Sequence, residues 1–186
     1  MIEQLKKAVA ILERLTKDVS LDVNASDTTR QVTYINEEIK DLFTEFSHMS
    51  FSWELDFCFE GFEEINYGEL ELGGECISDT FEVWLEEIEK NDLPFDLGQS
   101  IPLQEVANGD LIVLNNKGEV YYLNHEEIED SPRLGVNLKS FYENWIELCC
   151  PGPEIWILRE FYDDEKKCVS SKSEFSKKWI EVLKSS

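Results

Sequence analysis

The run LIVLNNKGEVYYL, residues 111–123, reads as two short strands joined by a tight turn. Leu111–Leu114 and Val120–Leu123 are apolar at almost every position, and Asn115-Asn116-Lys117-Gly118 between them holds the Asn and Gly that turns with positive φ require. Downstream, Asn137 can cap a helix from about Leu138 to Cys149 whose buried stripe is Leu138, Phe141, Tyr142, Trp145 and Leu148. Pro151 and Pro153 stop it. Glu154–Tyr162 suits a strand or a short helix equally. A last helix opens on a Ser171-x-x-Glu174 capping box and buries Phe175, Trp179, Val182 and Leu183.

Upstream, FSWELDFCFE (residues 51–60) alternates with a period of two. Phe51, Trp53, Leu55, Phe57 and Phe59 share one face, and Ser52, Glu54, Asp56, Cys58 and Glu60 share the other. Burying five such side chains is worth about 1.5–3 kcal/mol each. The opposite face stays polar, as in an antiparallel sheet open to water. A further strand is expected around Ile65–Leu72. Ser78 or Asp79 can cap a helix over 80–90, with Phe81, Trp84, Leu85 and Ile88 inward and Glu82, Glu86 and Glu89 outward. Residues 2–17 form an amphipathic helix on Leu5, Ala8, Val9, Leu12 and Leu15. A polar loop, DVNASDTTRQ, follows, and then a helix capped by Asn36 that buries Ile39, Leu42, Phe43 and Phe46. No internal repeat is visible.

The chain has 186 residues, 40 carboxylates against 17 Lys plus Arg, a formal charge of −23 and 22 aromatic side chains. That length suits one domain, and its apolar content can fill a core, unlike a disordered acidic tail. The expected organisation is a single domain over 1–186, with an N-terminal helix at 1–18 and a C-terminal helix at 171–184 as extensions. A charge of this sign argues against direct contact with nucleic acid, where phosphates need Lys and Arg, and against an anionic membrane surface. The placement of the charge says more than its sum. Residues 51–100 hold 15 acids and one base, Lys90, a net of −14, while residues 151–186 balance. Like charges that close raise the free energy of the folded state, so a surface that benefits from them is expected. The available benefit is fast, steered association with a basic protein.

The first 15 residues, MIEQLKKAVAILERL, contain only a five-residue apolar run, and no stretch approaches the roughly 18 residues needed to span a bilayer. Five cysteines, with Cys149 and Cys150 adjacent and no C-x-x-C, suit a reduced cytoplasmic chain with buried thiols. No phosphate-binding glycine loop or nucleophile elbow is present. His48 and His125 stand 77 positions apart, which gives no compact metal set. His125-Glu126-Glu127 reads as a solvated loop, and Asp163-Asp164-Glu165 as a charged turn. No catalytic residue, cofactor or metal is expected. A carboxylate-based hydrolase would instead need a deep pocket holding two carboxylates with raised pKa values.

IPLQEVANGDLIVLNNKGEVYYLNHEE (101–127), followed by SFYENWIELCCPGPEIW (140–156), resembles the SUKH superfamily, bacterial toxin-immunity domains related to a yeast regulator of cell-wall synthesis. The matching features are the Ile101–Val106 lead-in, Gly109-Asp110 entering an apolar strand, Gly118–His125 as a G-x-V-Y-x-x-x-H strand, and the aromatic helix Phe141–Leu148. Ile35-Asn36 and Ser50-Phe51 stand where the family carries Leu-Pro and Asn-Gly. The resemblance covers residues 30–150 and implies an α+β fold, an antiparallel sheet with helices packed mainly on one face. It implies no catalysis. It also implies a cytoplasmic immunity protein that neutralises a cognate toxin, many such toxins being nucleases and therefore basic. The alternative is a non-catalytic scaffold or regulatory adaptor of the same fold. Within the acidic region 54–92, the expected contacts are Glu63, Glu64, Glu69, Glu71, Glu75, Glu82 and Glu86.

Overall fold

A computed structural model describes residues 1–25, 46–72, 77–88 and 93–186. In chain order these form α1 (Ile2–Leu12), β1 (Val19–Ala25), β2 (Phe46–Glu54), β3 (Tyr67–Leu72) and α2 (Ile77–Glu87). Next come β4 (Ile101–Glu105), β5 (Leu111–Leu114), β6 (Val120–Leu123), β7 (Arg133–Gly135) and α3 (Leu138–Glu147). The chain ends with α4 (Ile155–Glu160), β8 (Tyr162–Asp163), β9 (Cys168–Val169) and α5 (Glu174–Ser185). The fold is mixed α+β with antiparallel strand pairing. Among the described residues the strands divide into a β1-β2-β3 sheet, a β4-β5-β6-β7 sheet and a β8-β9 ribbon, rather than one sheet. The helix expected from Asn36 to Phe46 lies outside the described residues up to position 45, and Phe46 itself begins β2.

The β5–β6 hairpin forms as its sequence predicts. The Gly118 N–H donates to the Asn115 carbonyl at 3.0 Å, and Gly118 takes φ +82°, a conformation with little cost only for glycine. Buried Asn115 folds its side chain inward, and its Oδ1 accepts from the N–H groups of Lys117 and Glu119, both at 2.9 Å. All four residues of β5 are buried because both faces of this sheet are covered. Ile112 and Leu114 join Val120 and Tyr122 in the larger core. Leu111 and Val113 join Leu123, Trp84 of α2 and the 93–97 loop residues Leu93, Phe95 and Leu97 in a smaller one.

In the first sheet Met49, Phe51 and Trp53 of β2 pack inward with Leu70 of β3. The strand expected over 51–60 stops at Glu54. After Leu55, whose N–H still bonds to the Asn66 carbonyl, the chain turns back, so that Phe59 and Phe62 pack against Trp179 while Phe57 is left 44% exposed. The aromatic ring of Trp179 is a better partner for Phe59 than a continued strand would offer, and alternation alone cannot foresee it. β1 occupies part of the expected polar loop, because Val19, Leu21 and Val23 alternate onto the same core.

Gly68 marks where a third element closes on this sheet. A Cβ there would lie 2.1 Å from Trp53 Nε1 and 2.2 Å from the Cys150 carbonyl oxygen, so only glycine lets residues 150–152 approach β3. Gly68 forms a bridge with Pro151, and the Gly152 N–H donates to the Tyr67 carbonyl at 3.0 Å. The end of α3 lies in the same place. The Asn137 side chain caps its start by accepting from the Ser140 N–H at 2.7 Å. At its end, Trp179 Nε1 donates to the Leu148 carbonyl at 2.9 Å and Trp53 Nε1 to that of Cys149 at 2.6 Å, meeting carbonyls the helix itself leaves unpaired. The chain leaves α3 through Cys149 and Cys150 with φ 63° and 47°, before either proline.

The terminal helices are shorter or shifted relative to expectation. α1 ends at Leu12, not near 17. α5 starts at Glu174 with Ser173 as its cap, Ser173 Oγ accepting from the Ser176 N–H at 3.0 Å. Ser171 is not the cap because its hydroxyl donates to Glu147 Oε2 at 2.6 Å, fastening the 170–173 turn to α3 instead. Leu5, Ala8 and Leu12 of α1 and Trp179 and Leu183 of α5 all lie in the larger core. The undecided segment 154–162 is helical over α4. In α2, Ser78 and Asp79 lie within the helix rather than before it, and Leu85 is exposed rather than inward.

Candidate functional site

The antiparallel register sets the side chains of the first sheet in rows. Ser20, Ser52 and Glu69 lie opposite one another across β1, β2 and β3, and Asp22, Ser50 and Glu71 form the next row. Glu54 and Tyr67 form a third. Because Phe51, Trp53 and Leu70 point to the core, period-two alternation sends all of these to the outer face. That face is serine along its centre and carboxylate on its flanks. Ser20, Asp22, Ser52 and Glu54 are exposed, while Ser50, Tyr67, Glu69 and Glu71 are half-buried.

At one end of the face is a groove of about 670 Å³ lined by Lys17, Asp18, Ser20, Ser52, Glu54, Tyr67 and Glu69. Burial raises the Glu69 carboxyl above its ordinary value, and the neighbouring charges of Glu71 and Glu154 raise it further. Glu154 is 6% exposed, and its Oε2 has no hydrogen-bond partner. That oxygen lies beside the phenol end of Tyr67: a Cβ built on Gly152 would meet Glu154 Oε2 at 2.7 Å and Tyr67 Cζ at 2.9 Å. Burial, then the Glu154 carboxylate, pushes the Tyr67 phenol well up, so it remains a neutral donor.

The expected contact residues occupy three places. Glu69 and Glu71 are side by side on β3. Glu63 and Glu64 are exposed in the turn before it, where the Gly61 N–H donates to Glu63 Oε1 at 2.8 Å and lowers that carboxyl. Glu82 and Glu86 are exposed one turn apart on α2, the helix that covers the other sheet. Glu75 lies outside the described residues. Asp22, Glu54 and Glu154 complete the acidic sheet face and were not expected as contacts. Alternation in FSWELDFCFE already pointed Glu54 outward. Nothing local in sequence brings Glu154, 85 positions from Glu69, beside it.

A second polar cluster sits at the mouth of the β5–β6 hairpin. Asp110, 1% exposed, accepts from Tyr122 Oη at 2.5 Å, Asn108 Nδ2 at 2.7 Å and the His125 N–H at 2.8 Å, and its Oδ1 lies 2.6 Å from His125 Nδ1. Burial alone would raise this carboxyl, but the hydrogen bonds from Tyr122, His125 and Asn108 outweigh it and hold it low. His125 thus fastens the loop after β6 to the strand entry. No group of three or more metal-ligating side chains occurs among the described residues, and no described helix is long and apolar enough to cross a membrane. No family model, no curated protein and no solved structure matches this chain.

Proposed function

We propose that this chain is a non-catalytic, cytoplasmic immunity protein of the SUKH type that binds and neutralises a basic toxin through the outer face of β1–β2–β3. The observation that carries the reading is the row structure of that face. Glu69 and Glu71 stand half-buried and adjacent, flanked by Asp22, Glu54 and the buried Glu154, and no ion pair with any of these five occurs among the described residues. Keeping such charges together costs stability, and a basic partner offsets that cost on binding. A toxin that attacks nucleic acid must present Lys and Arg where phosphates bind, and carboxylates on a rigid sheet suit the same positions. The resemblance is a second support, since its Gly109-Asp110 and His125 positions meet in one hydrogen-bonded cluster.

Co-expression with a toxin domain encoded beside this gene tests the proposal. The chain should restore growth to a host that the toxin alone kills, and the double variant Glu69→Gln/Glu71→Gln should protect less well. No protection by the folded wild-type chain, or protection unchanged in the double variant, would overturn it.

A further inference from the structure

We propose that the apolar cleft between α2 and the 93–98 loop is a docking site for a partner segment that carries an apolar side chain flanked by Lys or Arg. The cleft has a volume of about 450 Å³ and is lined by Leu85 of α2, Ile88 just after it, and Leu93, Phe95, Asp96 and Leu97 of the loop. Leu93, Phe95 and Leu97 are buried in the smaller core with Trp84, Val113 and Leu123, so the floor of the cleft is fixed from behind. The Phe95 ring packs on Tyr121 of β6 with centroids 4.6 Å apart. Asp96 sets the turn that follows, its side chain accepting from the Gly98 N–H and from Gln99 Nε2, both at 3.0 Å. Against this ordered floor, Leu85 is left 42% exposed. A large aliphatic side chain half in water beside an apolar cleft is surface that a partner can remove from water.

The charge around the cleft selects its occupant. Exposed Glu82 stands one turn before Leu85 on the same side of α2, exposed Glu86 follows it, and exposed Asp96 lines the cleft itself. A fatty acid or other anionic amphiphile would bring its head group against these carboxylates, and a second copy of this chain, at −23, would bring the same sign of charge. A cationic amphipathic segment meets both demands. Its apolar side chain covers Leu85 and the floor, while its Lys or Arg residues face Glu82, Glu86 and Asp96. The carboxylates decide only the sign of the partner; the apolar cleft is the site. Its volume lies at the low end of the range for ligand clefts, which suits one or two inserted side chains. Because α2 covers the β4–β7 sheet, this site is separate from the outer face of β1–β2–β3 and goes beyond the function proposed above.

The test is titration of the ¹⁵N-labelled chain with a short amphipathic Leu/Lys peptide, with a Leu/Glu peptide of the same pattern and an Ala/Lys peptide of the same charge as controls. Saturable shifts are expected at the Leu85, Ile88, Leu93, Phe95 and Gly98 amides with the Leu/Lys peptide, and at none of these with either control. Leu85→Ala should weaken the interaction about fivefold, and Leu85→Met should restore it. Glu82→Gln/Glu86→Gln should weaken it about two- to fivefold, the range of exposed charges, and Glu69→Gln/Glu71→Gln should leave it unchanged. Leu85, Glu82 and Glu86 are all exposed, and an amide spectrum unchanged away from α2 shows that each variant stays folded. Equal binding of the Ala/Lys peptide, shifts at the Ser52 and Glu69 amides in place of the cleft, or full binding by Leu85→Ala would overturn the site. So would weakening by the β3 pair as large as that by the α2 pair. The peptide is not the toxin, so failure of this site and failure of protection by the sheet face are read separately.

Discussion

Replacing Glu69 by glutamine should make this protein more stable near neutral pH while weakening its binding to a basic partner. Glu69 and Glu71 are two residues apart on β3, which places them about 7 Å apart at a strand rise of roughly 3.3 Å per residue. Two unit charges at that separation repel by about 0.6 kcal/mol in bulk water and about 2.4 kcal/mol at an effective dielectric of about 20. Glu69 is half-exposed, so the lower end of that range applies once screening is allowed for. With Glu154 adding to the repulsion, relief of about 0.5–1 kcal/mol is expected. The sign with pH is also fixed. The carboxyl is raised in the folded state, so the penalty is full above its folded value and disappears as the pH falls and the group protonates. Urea denaturation of wild type and Glu69→Gln should therefore show the variant ahead near neutral pH and the two converging by about pH 4. A variant that is less stable near neutral pH would mean that Glu69 makes a favourable contact, and the picture of a repulsive face held for a partner would be wrong.

The buried cluster at the hairpin predicts the opposite pH behaviour. The Asp110 carboxyl is lowered, so its contribution is present above the unfolded value and is lost as pH falls through the folded one; Asp110→Asn should cost about 2–4 kcal/mol near neutral pH and less in acid, read by the same denaturation series. Gly68→Ala should cost at least about 2 kcal/mol, because a Cβ there collides with Trp53 and the Cys150 backbone; an unchanged melting midpoint would refute the close approach. Trp179→Phe removes the N–H that caps Leu148, and thermal or urea unfolding should show a loss of about 1–3 kcal/mol with the unsatisfied carbonyl as the cause. In native thiol labelling followed by peptide mapping, exposed Cys58 should react well before Cys149, whose thiol burial pushes up to about 12, and before Cys150 and Cys168.

What could be read in the sequence was what local pattern determines. The β5–β6 hairpin, the Asn137 cap and the inward faces of β2 and α3 follow from turn chemistry and periodicity. The alternation that placed Phe51 and Trp53 in the core also placed Ser52 and Glu54 on the open face. The same alternation misplaced Phe57, because the chain turns at Leu55 to bring Phe59 and Phe62 onto Trp179, a partner more than 100 positions away. Ser171 satisfied a capping pattern but was taken by Glu147, a tertiary competitor for the same hydroxyl. Charge counting located the acidic region but not its geometry. It grouped Glu82 and Glu86 with Glu69 and Glu71, whereas the fold places the first pair on α2 and the second on a sheet face completed by Asp22 and Glu154.

The claim that this sheet face meets a basic partner is tested most directly by the association rate of the chain with its co-expressed toxin, measured at about 0.01 M and 0.15 M salt. The rate should fall steeply between those conditions for the wild type, and the fall should be much shallower for Glu69→Gln/Glu71→Gln, whereas Glu82→Gln/Glu86→Gln should retain it. A rate indifferent to salt, or a salt dependence lost with the α2 pair and kept without the β3 pair, would contradict the account.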